Sequence, residues 1–254
     1  NNVMPVSGGM RVTPLPSGLE LSAGTIDKLS LEGTSGINPA VGATLETICT
    51  QGGIRNVLSS AEQLKIKSSD ADDTNGGSGH ARRVKIKGID GSGAEVEENV
   101  NLNGTAAVTT TNSYRHVNNV FVNKIGSGGS ANKGVISINN NADDTKLYEI
   151  AALEGQQQSA SFAVPANTKA YITTFMMSAS GAAQVSIWLN KSPDTGAPFR
   201  QVLTTIVGDG QGVTYNLPNP FQIPSGGIIE FRAKRLGSSD VAVAADFQLI
   251  FERD

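Results

Sequence analysis

The sequence predicts an all-β protein, built as an antiparallel β-sandwich of the jelly-roll type. Three observations support this prediction: apolar and polar residues alternate with a period of two, turns rich in glycine and proline are frequent, and helical patterns are scarce. The 254 residues include 29 Gly and 10 Pro, and only 17% are charged. A chain of this length can bury roughly 70–75% of its unfolded surface, which allows one large β domain or two small ones.

The clearest strand pattern lies in residues 241–252. Apolar side chains occupy every second position of this stretch, and mostly small or polar residues lie between them. A period of two over this length is difficult to obtain from a helix. Shorter versions of the pattern occur in residues 83–87, 184–190 and 229–233. Each of these stretches is therefore predicted to be a strand with one buried face.

The dipeptide Asn103-Gly104 predicts a tight β-hairpin, because a type I′ turn needs positive φ at both central residues. Evenly spaced apolar residues precede it in 96–102, and β-branched residues fill 106–111. The stiff side chains of β-branched residues favour a pleated strand. A third strand is predicted around residues 120–122.

Residues 143–155 carry the best helical pattern of the chain. Asp144 could cap such a helix and Gly155 could end it. A strand over residues 147–152 is the preferred alternative, because the family pattern described below places a strand there.

Composition suggests three segments. Residues 1–50 are rich in Pro, Gly and Ser with little periodicity, and they are predicted to form an extended N-terminal arm that could include one strand. Residues 51–140 are predicted to form a first β-rich block, and residues 141–254 a C-terminal jelly-roll-like β-sandwich. One continuous sandwich shared by both blocks is the alternative.

The charge and hydropathy of the chain argue against two classes of partner. Lys and Arg number 20 against 23 Asp and Glu, which gives a net charge of −3. A nucleic-acid binder normally shows a basic excess, so no nucleic-acid partner is expected. No apolar run approaches the roughly 20 residues that span a bilayer, so no membrane partner is expected either. The first ten residues lack the charged head and apolar core of a signal peptide.

No catalytic, cofactor-binding or metal-binding residue is predicted, and no cofactor or enzymatic activity is expected. Cys49 is the single cysteine and is interpreted as a small buried apolar residue. A nucleophilic role would require His80 or His116 beside it in space. The two histidines have no neighbours at metal-ligand spacing, and no Gly-x-Ser-x-Gly motif is present. Glu97 and Glu98 are adjacent, so on a strand they point to opposite faces.

Two loops resemble ligand-binding motifs but are interpreted as solvated turns. Asp70, Asp72 and Thr74 have the spacing of a calcium loop, yet Ala81 stands where a bidentate glutamate is required. The glycine-rich segment 126–131 lacks the lysine of a phosphate-binding loop, and it is predicted to be a flexible hairpin loop.

Two aromatic residues, Trp188 and Tyr215, could line a sugar-binding surface. Aromatic residues make up only 5% of the chain. Core or interface packing is therefore the preferred interpretation of both.

Four stretches of the chain are similar to a family of tailed-bacteriophage virion structural proteins: residues 77–122, 126–138, 161–175 and 221–254. The family pattern consists of turns and strands. The sequences "IDG" at 89–91, "LNGT" at 102–105 and "VPA" at 164–166 occupy matching places in it. The resemblance covers roughly residues 56–254.

The resemblance implies a component of the phage virion, located on the particle surface. A capsid decoration (cement) protein that stabilises the head through subunit contacts is the preferred role. A homo-oligomer, expected to be a trimer, would contact the major capsid protein or other virion proteins. The alternative is a head or tail fibre or knob adhesin that binds host surface glycans through loops 74–80, 192–198 and 208–212.

Overall fold

The predicted all-β fold is confirmed. The computed structural model describes residues 26–76, 79–193 and 196–254. No α-helix occurs in this described part, and no helix there is long and apolar enough to cross a bilayer. The strands are β1 (Leu29–Val41), β2 (Glu46–Thr47), β3 (Glu62–Ser68), β4 (Ala81–Ile89), β5 (Glu95–Asn101), β6 (Val108–Tyr114), β7 (His116–Ile125), β8 (Ile136–Asn139), β9 (Lys146–Ile150), β10 (Ser161–Ala163), β11 (Thr168–Ala179), β12 (Ala183–Asn190), β13 (Arg200–Val207), β14 (Gln211–Ile223), β15 (Ile228–Arg235) and β16 (Val241–Arg253).

The strands form four antiparallel sheets that pack as two pairs. In the first pair, a sheet of order β1-β16-β11-β14 faces a sheet of order β10-β15-β12-β13, in which β2 also pairs with β15. The core between them contains Phe175, Phe231 and Phe247. In the second pair, β6-β3-β8-β9 faces β5-β4-β7 around a core that includes Leu64 and Ile86. The molecule therefore has two hydrophobic cores, each enclosed by its own sandwich.

The first pair of sheets has the strand order of a jelly roll. If β2 and β10 count as one strand, the pair contains eight strands in chain order. One sheet then reads 1-8-3-6 and the other reads 2-7-4-5. This arrangement is that of two Greek keys in a double-sheet jelly roll. We refer to this sandwich as the jelly roll.

The second strand of the jelly roll is split in two. β2 pairs with residues 232–233 of β15, and β10 pairs with residues 228–230. Phe231 lies opposite the split: its carbonyl accepts a hydrogen bond from the Ile48 amide, and its own amide donates to the Ala160 carbonyl, both at 2.9 Å. The Ala160 amide in turn donates to the Ile48 carbonyl at 2.9 Å. Ile48 and Ala160 are thus neighbours in space.

The second pair of sheets is inserted at this split. Cys49 and Ser159 form an antiparallel bridge just outside it, so the chain leaves the jelly roll and returns to it at adjacent points. Residues 49–159 between them contain β3 to β9. We refer to residues 49–159 as the insertion sandwich.

Strand pairing groups the residues differently from the predicted blocks 1–50, 51–140 and 141–254. β1, which lies in the predicted arm, is a strand of 13 residues that pairs with β16 and completes a sheet of the jelly roll. β9 lies beyond residue 140 but pairs with β8 in the insertion sandwich. Residues 1–25 of the predicted arm lie outside the described residues.

Gly36 of β1 lies beside the backbone of the split second strand of the jelly roll, at a very short distance. A Cβ at this position would lie 2.1 Å from the Ala160 amide nitrogen and 2.5 Å from the Ile48 carbonyl oxygen. Both are backbone atoms at the split in the second strand, so neither can move aside as a flexible side chain would. Only glycine allows β1 to pass at this distance.

The hairpin predicted at Asn103-Gly104 is wrong, although the turn itself exists. The Ala106 amide donates to the Asn103 carbonyl at 3.1 Å, and Gly104 has a φ of 59°. However, β5 pairs with β4 and β6 pairs with β3, so the turn carries the chain from one sheet to the other. Leu102, which is buried in the core next to the turn, favours this crossing. The predicted third strand is present as β7.

The segment 126–131 is not a hairpin loop either, because it connects β7 and β8, which lie in opposite sheets. The preferred strand over residues 147–152 is confirmed in its first part as β9. β9 pairs with β8, with Ile150 opposite Ile136. Residues 152–154 then form a turn.

Candidate functional site at the junction of the two sandwiches

The insertion sandwich is fastened to the jelly roll by direct hydrogen bonds. The Asn118 side chain donates to the Ala163 carbonyl and accepts from the Ala163 amide, both at 2.9 Å. The Ala166 amide donates to the Gly93 carbonyl at 2.7 Å. These contacts engage the edge of β10 and hold the two sandwiches in one relative position.

A buried ion pair lies at the centre of this junction. The Arg55 and Glu230 side chains are each 1% exposed, and their nearest charged atoms, Nη2 and Oε2, are 4.0 Å apart. The Thr47 hydroxyl donates to Glu230 and accepts from the Arg55 amide, the latter at 2.9 Å. Arg232 Nε also donates to Glu230 at 3.0 Å. One carboxylate of the jelly roll therefore balances a guanidinium from each sandwich.

His116 extends the cluster into the insertion sandwich. Arg55 Nη1 lies 2.8 Å from His116 Nε2 and also donates to the Tyr148 hydroxyl. Because a guanidinium can only donate, Nε2 is the acceptor and the ring is neutral. Burial, together with the charges of Arg55 and Arg115, holds the pKa of His116 well below its usual range. Burial raises the pKa of Tyr148 to about 12.

Acidification is expected to weaken the folded state through His116. The unfolded chain gains a proton on this residue as the pH falls below about 6.5, whereas the folded chain does not. Stability is unaffected above that pH and falls by up to about 1.4 kcal/mol per pH unit below it, until the pH reaches the lowered pKa of the folded state. His116→Gln keeps an acceptor for Arg55, so the free energy of unfolding of this variant should change less between pH 7 and pH 5.

Urea denaturation at both pH values measures this difference. An equal change between pH 7 and pH 5 in His116→Gln and the wild type would contradict the role assigned to His116.

Cys49 is buried, as predicted from the sequence. It lies near the same cluster, close enough for the charges of Arg55 and Glu230 to act on it. Burial is the largest effect and raises the pKa of the thiol to about 12. The sulfur is therefore protonated at neutral pH.

The acidic loop resembling a calcium site is held together by the chain itself. Lys133 Nζ lies 3.4 Å from Asp70 and 2.6 Å from Asp72, so one ammonium group contacts both carboxylates and offsets part of their charge. Asp73 is fully buried and was not singled out from the sequence. Within the described residues, no group of three or more His, Cys, Asp or Glu could hold a metal ion.

Removing the Asp73 carboxylate is expected to destabilise the insertion sandwich. It accepts hydrogen bonds from the Ser68 hydroxyl at 2.6 Å and from the amides of Ala81, Lys133 and Gly134 at 2.9–3.1 Å. Asp73→Ala leaves these amides unpaired and should lower the free energy of unfolding by about 2–3 kcal/mol. Asp72→Ala is the control in the same urea titration and should have a much smaller effect, because Asp72 is exposed. Equal losses would contradict this.

The remaining candidate side chains do not converge on one site. Tyr215 is half-buried and stacks on Phe175 at 4.9 Å, so it packs against the core. Trp188 lies in the opposite sheet, where the Arg232 guanidinium covers its ring at 4.8 Å. Glu97 and Glu98 serve different partners: Glu97 pairs with Lys85, whereas Glu98 accepts from backbone amides of β6.

The three loops considered for glycan binding do not share one surface. Pro193, in loop 192–198, lies beside Asp90 at the end of β4, whereas loop 74–80 precedes the start of β4. β4 has 9 residues, so its two ends, and the loops beside them, are roughly 25 Å apart. The turn at 208–210 lies at the far end of β13 from loop 192–198. Residues 77–78 and 194–195 of these loops lie outside the described residues.

Comparison with known proteins gives weak similarities only. No protein-family model and no curated protein matches the chain. Among solved structures, an infectious bursal disease virus (IBDV) T13 viral particle is 12% identical over 89% of this chain and 75% of its own, with a TM-score of 0.23. The PBSX exported protein XepA is 13% identical, over 97% and 93%, with a TM-score of 0.19.

The stem and receptor-binding domain of the spike protein P1 from bacteriophage PM2 is 10% identical, over 88% of this chain and 97% of its own. Its TM-score is 0.21. At such TM-scores, no conclusion about the fold or the function of this chain follows from any of the three.

Proposed function

We propose that this chain is a structural protein of a tailed-bacteriophage virion, most specifically a capsid decoration protein. The observation that carries the proposal is the jelly-roll strand order, an architecture used by viral capsid domains. Because a fold alone does not define a function, the resemblance of residues 56–254 to phage virion proteins is the second support.

The proposed mechanism is adhesion without a chemical step. Each copy would contact the major capsid protein or other virion proteins, and copies would associate with one another as trimers. Surface buried across a seam between capsid subunits stabilises the assembled shell and adds nothing to the free subunits. The buried junction supports this role, since it would transmit load between the two sandwiches without a hinge.

The test uses the phage that encodes the chain, with the gene deleted or restored. Immunogold labelling of wild-type particles should place the protein on the head. Heads that lack it should release their DNA at a lower temperature, and restoring the gene should reverse this. Absence of the protein from purified particles would overturn the proposal. Heads of equal heat resistance, with adsorption to the host lost instead, would replace decoration by the fibre or adhesin alternative.

A further inference from the structure

A cleft of about 350 Å³ lies between the two sandwiches, beside the contacts that join them. The jelly roll contributes Glu32 and Phe162 to its lining, and the insertion sandwich contributes residues 87–88, 95–97 and 118–119. Small-molecule sites have volumes of this order and are frequent where two domains meet. A ligand in this cleft would therefore contact both sandwiches.

Two contacts hold the walls of the cleft in place. Arg253 Nη1 of the jelly roll lies 2.6 Å from the Glu95 carboxylate of the insertion sandwich. Asn118 is hydrogen-bonded to the backbone of Ala163, as described above. Because Glu95 and Asn118 also line the cleft, its walls are preformed, which favours the binding of a small ligand.

Three polar side chains form a row on the insertion-sandwich wall. Lys87 of β4 lies directly opposite Glu97 of β5 and Asn119 of β7, and the register between β4 and β7 is regular from residue 84 to residue 87. Side chains of directly opposite residues share one face, with Cβ atoms about 4.5–5.5 Å apart. The row thus presents a carboxylate, an ammonium group and an amide side by side, and all three residues are exposed.

The charges of the cleft balance one another. The carboxylates of β5 already have cationic partners, because Lys85 Nζ lies 2.6 Å from Glu97 and Arg253 pairs with Glu95. Of the other charged residues in the lining, Glu32 is negative and Lys87 is positive. A bound ion would leave one charge unbalanced, so the cleft favours a neutral ligand.

The side chains of Glu32, Lys87 and Asn119 have no hydrogen bond and no ion pair within the part of the chain that the structure describes. Partial burial, followed by the charge of Glu95, raises the pKa of the Glu32 carboxyl, as expected when no donor is bound to it. A carboxylate only accepts, an ammonium group only donates, and an amide does both. Hydroxyl groups can bond to all three, because each hydroxyl donates and accepts.

Phe162 adds an apolar surface to this polar lining. Its ring is partly buried against the core of the jelly roll and packs edge-on against Phe251, with the ring centres 5.5 Å apart. A sugar ring matches such a surface, since it combines a C–H face that packs on aromatic rings with hydroxyl groups around its rim. At roughly 30 Å³ for each water-sized group, the cleft has room for about a dozen of them, which is the size of one hexose.

We propose that the cleft binds a neutral saccharide, with the sugar ring against Phe162 and its hydroxyl groups bonded to Glu32, Lys87 and Asn119. This site lies at the junction of the two sandwiches and uses none of the loops considered for glycan binding above. The inference goes beyond the proposed decoration role and does not rest on it.

Titration of the isotope-labelled chain with sugars, followed through its amide signals by NMR, tests the site directly. The probes are glucose, galactose, mannose and N-acetylglucosamine, each added up to about 50 mM to cover millimolar dissociation constants. At least one of them should give saturable shifts at the amides of Gly33 and Gly88, which line the cleft.

Substitutions on each wall make the result specific. Lys87→Ala and Glu32→Ala should each raise the dissociation constant of that sugar by about tenfold, because each removes a hydrogen bond to a charged group. Both residues are exposed, so both variants should fold. Lys124→Ala is the matched control, since Lys124 is an exposed lysine of β7 outside the cleft, and it should keep the wild-type affinity.

Three outcomes would overturn the proposal. The first is the absence of saturable shifts with all four sugars, and the second is a sugar affinity that neither Lys87→Ala nor Glu32→Ala changes. The third is binding of a cation instead: saturable shifts at the cleft with Ca²⁺ or putrescine, and none with the sugars. The virion experiment reports where the protein lies on the particle and is independent of these titrations.

Discussion

Replacing Gly36 by alanine is expected to lower the free energy of unfolding by about 3 kcal/mol or more. The added methyl group would lie 2.1 Å from the Ala160 amide nitrogen, and the Ile48 carbonyl oxygen is almost as close. Relief requires β1 to move away from the split strand, which disturbs its backbone pairing with β16. Urea denaturation followed by circular dichroism measures the loss.

Gly33→Ala is the matched control, because both glycines belong to β1. A Cβ at Gly33 meets its nearest atom, the Phe247 carbonyl oxygen, at 3.7 Å, which is ordinary contact. This variant should stay close to the wild type in the same titration. If Gly36→Ala were as stable as Gly33→Ala, the close approach of β1 to the split would be refuted.

Removing the Glu230 carboxylate is expected to cost about 3–5 kcal/mol of stability. Glu230→Ala leaves the Arg55 guanidinium buried without a counter-charge, and losing one partner of a buried ion pair has costs of this size. Because Arg55 belongs to the insertion sandwich and Glu230 to the jelly roll, the loss should appear as weaker coupling of the two sandwiches. Thermal unfolding should then change from one transition to two.

Two variants make the Glu230 result specific. Glu97→Ala breaks an exposed ion pair with Lys85 and should leave the unfolding transition nearly unchanged. Replacing both Arg55 and Glu230 by leucine should recover part of the loss, since the fully buried Arg55 guanidinium is gone and only Arg232, which is 12% exposed, loses its carboxylate partner. A double variant as unstable as the sum of the single variants would argue against direct coupling of the two residues.

The sequence predicted strands well where one face is apolar throughout. The alternation in residues 241–252 identified β16, because one face of β16 is buried along the strand in the core between the two sheets. β1 was not recognised as a full strand, since Gly33, Gly36 and Pro39 interrupt its alternation. These residues serve close approach and edge protection, which depend on strands distant in the sequence.

The pairing partners of the strands and the residues of the junction could not be predicted from the sequence for a related reason. Asn103-Gly104 predicts a local turn between two strands. Whether those two strands pair with each other or with other strands depends on how the side chains pack into the two cores. Glu230 alternates with Ile229 and Phe231, as a solvent-facing residue of an amphipathic strand would. Its burial follows only from the insertion sandwich covering that face. Arg55, its partner, lies in a segment without any periodic pattern.

The split strand also imposes an order on how the protein is made. The sheets of the insertion sandwich use only residues between the two halves of the split strand, so this sandwich can fold while the ribosome is still adding β11 to β16. β1 emerges first among the described strands yet must wait for β16, the last of them, before its hydrogen bonds can form. Pairings this distant in the sequence form slowly. The nascent chain therefore carries one folded sandwich while β1 remains an unpaired strand until β16 is synthesised.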